Sequence, residues 1–126
     1  MKSLVVLMLV LSVGAAGGQQ TKTPAPCSEA GTQIEMNDCA AKEYKTADSA
    51  LNRTYQQLMA KLEPEEKTSL KTAQTAWIKY RDANCDFVAD QYKGGTIRPM
   101  IYALCLADVT RNRTTELKSQ IEDRNK

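Results

Sequence analysis

The sequence contains no histidine. That absence removes the commonest general base and proton shuttle, and with them any mixed cysteine and histidine zinc site. No two of its four cysteines stand in C-x-x-C spacing, which argues against a redox pair and against a close-set all-cysteine metal site. There is no large excess of charge of either sign, since 17 Lys and Arg stand against 15 Asp and Glu, interspersed along the chain. The basic residues form no stripe, so nucleic acid is not an expected partner. No segment sustains the period-two alternation of a half-buried strand. An enzyme would have to work with carboxylates alone. Paired acids hydrolyse glycosides at suitable separations, but nothing in the chain singles out such a pair. No catalytic residue, cofactor or metal ligand is assigned.

A long hydrophobic run is also lacking beyond the first residues. Leu4 to Val13 is apolar for about ten residues, whereas a membrane-spanning helix needs roughly 20. The run follows the basic start Met1-Lys2 and ends in Gly14-Ala15-Ala16, the pattern of a secretory signal peptide over residues 1–16, cleaved after Ala15 or Ala16. A lipid anchor would need a cysteine directly after the run, but Cys27 follows the polar stretch Thr23-Pro24-Ala25-Pro26. The expected mature protein is therefore exported to the periplasm or the medium, without a stable membrane anchor. Residues 17–31 read as a flexible leader that carries the first cysteine, and residues 32–126 as one small domain.

That domain reads as three helices. Thr32-Gln33-Ile34-Glu35 is a capping box, and Met36, Ala40, Tyr44, Ala47, Leu51, Tyr55, Leu58 and Leu62 recur in steps of three and four on one face. Glu63-Pro64-Glu65-Glu66 stops that helix and starts the next, with proline at the first helical position and acids in the opening turn. The second inward stripe is Leu70, Ala73, Trp77, Tyr80, Asn84 and Val88, with Phe87 beside it, fraying near Tyr92 before Gly94-Gly95. So short a connection between the first two helices predicts an antiparallel hairpin. Pro99 begins a third helix that turns Ile101, Tyr102, Cys105, Val109, Leu117 and Ile121 toward the others. The fold class is all-α, a small antiparallel three-helix domain stapled by disulfides.

An even number of cysteines in a short exported chain favours disulfides. Cys85 and Cys105 lie ten residues on either side of Gly95 in the glycine turn and are placed to face each other, closing a loop of about 20 residues. Cys27 then reaches back to Cys39. The alternative of Cys39 with Cys85 is also sterically open, because those positions are nearly level.

Cys27-Ser28-Glu29-Ala30-Gly31-Thr32-Gln33, Glu35-Met36-Asn37-Asp38-Cys39-Ala40, Leu51-Asn52 with Tyr55 and Leu58, Ala73-Gln74-Thr75-Ala76-Trp77-Ile78-Lys79-Tyr80-Arg81-Asp82-Ala83-Asn84-Cys85, Gly94-Gly95, Cys105 and Thr110-x-x-Arg113 together resemble the LprI-type lysozyme-inhibitor domain. The resemblance spans nearly the whole mature chain. It implies a helical, exported bacterial domain linked to inhibition of lysozyme, and it favours the pairing of Cys27 with Cys39 and of Cys85 with Cys105. The lipid-attachment cysteine of some members is missing here, so surface anchoring is not implied.

Most of the matching residues are ones that a three-helix domain needs for itself. Trp77 is read as core, and Arg81 as level with Tyr44 to Asp48 in an ion pair that is at least half-buried, with Asn37, Asn52 and Gln74 as further members of one polar network. The expected partner is a protein, with lysozyme the candidate, and the competing reading is a general cell-envelope interaction module. The candidate partner-binding residues are Tyr92, Lys93 and Arg98, on the longest connection. There the two cations can meet carboxylates of a glycan-cleaving cleft, and Tyr92 can supply apolar contact. Nothing in the sequence sets an oligomeric state.

Overall fold

Helix α1 (Gln33–Met59) starts where Thr32 Oγ1 accepts the Glu35 amide at 3.2 Å and the Glu35 carboxylate accepts the Thr32 amide at 2.9 Å. In the computed structural model, which describes residues 26–126, it is the first of three long helices. Helix α2 (Pro64–Ala89) begins with proline, and the Glu66 side chain reaches back to the Glu63 amide at 3.1 Å. That amide, with Arg124 adding to it, holds the Glu66 carboxyl below the ordinary carboxylate range. A single 3-10 turn, Asp90–Tyr92, extends α2 before the glycine turn, and helix α3 (Arg98–Arg124) follows.

Side-chain pairs fix the helix directions. Gln33 meets Met100, Glu43 meets Arg111 and Lys61 meets Asn125, so α1 and α3 run parallel. Cys85 is joined to Cys105, while Gln74 meets Arg113 and Glu66 meets Arg124, so α2 runs antiparallel to α3. The order is up, down, up. The expected hairpin of α1 and α2 is antiparallel too, yet the closest packing among the described residues is between α1 and α3, which are not consecutive.

Small residues explain that preference. Ala40 and Ala47 on α1, with Ala103, Ala107 and Thr110 on α3, are buried, and their short side chains let two backbones approach closely. One apolar cluster, Leu51, Leu58, Leu62 and Leu117, holds Trp77 and Leu70 of α2 against it. A second, around Ala40, Met100 and Ala103, ties α1 to α3 at the other end. Each fully buried leucine is worth about 1.5–3 kcal/mol over the exposed state. Helix α2 buries only Arg81, Cys85 and Ala89, and it leaves a groove of about 740 Å³ against α3 and one of about 360 Å³ against α1.

The inward faces differ from the sequence expectation. On α2 the face runs through Gln74, Trp77, Arg81 and Cys85, while Ala73 and Tyr80 are exposed. The helix is turned toward its polar residues because Cys85 must reach Cys105 and because Gln74 and Arg81 find partners inside. On α3 only Leu117 of the expected stripe is buried, and the other buried positions are Met100, Ala103, Leu106, Ala107, Thr110 and Thr114. The two threonine hydroxyls face this interior without penalty, since Thr114 donates to the Thr110 carbonyl at 3.1 Å and Thr110 accepts from Arg81.

Both bridges are those expected, Cys27 with Cys39 and Cys85 with Cys105, at Cα separations of 5.5 and 5.6 Å. Of the expected leader, Cys27–Glu29 forms one 3-10 turn with Cys27 buried. The expected signal peptide, residues 1–16, and leader residues 17–25 lie outside the described residues. Among the described residues no helix is long and apolar enough to cross a membrane.

Candidate functional site

Two arrangements gather the residues that the sequence singled out. The first is built on Arg81, which is 7% exposed. Its guanidinium lies 5.4 Å from the ring centre of Tyr44 on α1 and 5.1 Å from that of Trp77 on α2, while its Nε donates to Asp82 Oδ1 at 2.9 Å. Arg113 on α3 lies 5.9 Å from Trp77, and it donates to Gln74 Oε1 at 3.0 Å and to Glu116 at 2.9 Å. Stacking on aromatic faces stabilises a guanidinium that has lost water. Burial raises the Tyr44 phenol pKa above its ordinary value, with Arg81 opposing.

This stack is a strut across the bundle. Every cation in it has a carboxylate or amide partner, and it joins all three helices. Arg81 lies against Tyr44 as expected, but its ion partner is its own neighbour Asp82. Gln74 joins the network, whereas Asn52 bonds Asp48 at 3.4 Å and Asn37 serves the far end of the molecule. Trp77 is half-buried and spans the gap left by the stand-off of α2.

The second arrangement is the connection from Lys93 to Ile97. Gly94 has φ +82°, the left-handed conformation that closes the turn, and the Gly95 amide donates to the Tyr92 carbonyl at 2.9 Å. The loop is held from three sides. Cys85–Cys105 clamps the helices below it, and Asn37 Nδ2 on α1 donates to the Thr96 carbonyl at 3.2 Å. Arg98 donates to Asp90 at 2.8 Å and to Asp86 at 3.2 Å while lying 5.8 Å over the Tyr102 ring. Those two carboxylates raise the Arg98 pKa.

The three candidate contact residues therefore share one loop but differ in availability. Lys93 is exposed and Tyr92 is 40% exposed, whereas the Arg98 guanidinium is taken up by the two aspartates. Asp86 and Asp90 are bracing residues that sequence reasoning missed, and Asn37, expected in the network around Arg81, braces this loop instead. Their spacing to Arg98 and Thr96 follows no local rule and becomes visible only once the turn is folded.

The chain matches the family described as lysozyme inhibitor LprI over residues 25–117. It belongs to the LprI family. A protein of Rhizobium meliloti (strain 1021), itself described as uncharacterised, is 36% identical over 129 residues that span 92% of each chain. No solved structure matches. The stretch matched to the LprI family takes in both disulfides, the strut and the braced loop. Among the described residues no group of three or more His, Cys, Asp or Glu is placed to hold a metal ion.

Proposed function

We propose that the protein is an exported inhibitor of lysozyme that acts by placing the braced loop between α2 and α3 into the glycan-cleaving cleft of its target. Membership of the LprI family supports the class of target. The observation that carries the mode of action is the loop itself, fixed from three sides before any partner arrives. Pre-organisation lowers the ordering cost of binding. In this reading the Lys93 ammonium pairs with a cleft carboxylate, Tyr92 covers an apolar wall, and Gly94 and Gly95 let the backbone approach closely. Arg98 keeps the loop stiff through Asp86 and Asp90 and presents its remaining edge.

A cell-wall lysis assay with several lysozymes tests the class of activity, using protein expressed from the full sequence and purified with both bridges closed. Inhibition of at least one lysozyme is expected. Lys93→Glu is expected to melt with the parent and to inhibit about tenfold less, the loss typical of reversing one well-placed interface charge. A folded protein with no effect on any lysozyme would favour a general envelope interaction module instead. Undiminished inhibition by Lys93→Glu would move the contact away from this loop.

A further inference from the structure

The outer flank of α2 carries an apolar row that the three-helix fold leaves uncovered. Ala73, Ala76, Tyr80, Ala83 and Phe87 follow in steps of three and four, so they fall in one line along the helix. All five are exposed, Tyr80 at 61% and Phe87 at 79%. Single exposed apolar side chains are ordinary, but five successive positions of a coiled-coil seam are not single. The row includes no member of the strut or of the braced loop.

We propose that this row is a self-association face, on which α2 of one chain packs antiparallel against α2 of a second copy. Side-chain size fits that occupant. An antiparallel register sets Tyr80 against the partner's Ala83 and Phe87 against the partner's Ala76, a large residue facing a small one in each of these layers, and leaves Ala73 at the open end beside the partner's Asp90. Charge fits it as well. In the same register the exposed Lys79 lies beside the partner's Asp86, and the two-fold axis makes the pair twice. Asp86 gives one oxygen to Arg98 and has the second free for this contact, and Lys79 makes no ion pair among the described residues. A parallel copy would stack Tyr80 on Tyr80 and put Lys79 opposite the uncharged Asn84. The paired positions, Ala76 to Phe87, span about 17 Å of helix. So short a seam makes a weak dimer, below the size of a standard stable interface.

Analytical ultracentrifugation of the purified, fully bridged protein tests the proposal. The expected result is a mass rising from one chain toward two as concentration increases through the micromolar range. Phe87→Glu is expected to hold the mass at one chain without changing helicity or melting. Lys79→Glu and Asp86→Lys each place like charges together twice, so each alone weakens association about tenfold. Mixed in equal amounts they form a hetero-pair with both contacts attractive, and association returns, while Arg98 keeps Asp90. A mass of one chain up to about 1 mM overturns the proposal, as does a mixture that associates no better than its parts. Loss of lysozyme inhibition in Phe87→Glu, with the parent itself a single chain at every concentration, would assign the row to the target instead.

Discussion

At φ +113°, Gly31 holds a backbone conformation that other residues adopt only with strain, and a Cβ there would collide with the Glu35 carboxylate that caps α1. Gly31→Ala therefore combines backbone strain of about 1–3 kcal/mol with loss of half a capping box. Thr32→Ala removes the other half alone, at about 1 kcal/mol. Urea unfolding of the two variants is expected to rank Gly31→Ala as the more damaging, and equal losses would show that the glycine is not required. Trp77 presents the opposite problem, a large side chain that is only half-buried but touches the leucine cluster and two guanidiniums. Trp77→Ala is expected to cost about 2–3 kcal/mol, less than the range for a fully enclosed aromatic. A melting temperature equal to that of the parent would show that the strut contributes nothing to stability.

Among the elements, α2 is the loosely held one, with three buried residues and a groove on either flank. The two bridges close loops of 12 and 20 residues, each worth about 3 kcal/mol in chain entropy, but they hold different things. Cys85–Cys105 fastens α2 to α3, whereas Cys27–Cys39 pins one 3-10 turn. Replacing Cys85 and Cys105 by serine is expected to speed amide exchange throughout α2, and replacing Cys27 and Cys39 to speed it only near residues 27–40. Similar exchange patterns in the two variants would contradict this division. Helix ends were legible in the sequence because caps, Pro64 and Gly94 act on their own turns. The inward faces of α2 and α3 were not, because Gln74, Arg81, Thr110 and Thr114 are inside by virtue of partners on other helices. Hydrophobic periodicity alone favours Ala73 and Tyr80, which solvent in fact covers.

As a whole, residues 26–126 form an up-down-up bundle whose dominant contact joins α1 and α3, a non-local choice made by small residues on both. That choice also limited how much of the candidate site was legible. Tyr92, Lys93 and Arg98 were placed on one loop by the glycine pair, but the neutralisation of Arg98 depends on two carboxylates that only the folded turn brings near. All three helices meet at Tyr44 on α1, Arg81, Asp82 and Asp86 on α2, and Tyr102 on α3. Burial chiefly raises both phenol pKa values, Arg81 opposes at each, and the carboxylates add to the rise, Asp48 and Asp82 at Tyr44 and Asp82 and Asp86 at Tyr102. A phenol that ionises less readily when folded ionises preferentially in the unfolded chain. Its contribution is thus complete below the unfolded value near pH 10 and is lost as pH rises through the higher folded values. Urea unfolding of the parent between about pH 8 and pH 12 is expected to show stability declining at the alkaline end. A Tyr44→Phe, Tyr102→Phe double variant is expected to decline less steeply, because neither ring can ionise. An identical alkaline slope in that variant would assign the loss to other groups and remove the three-helix junction as its cause.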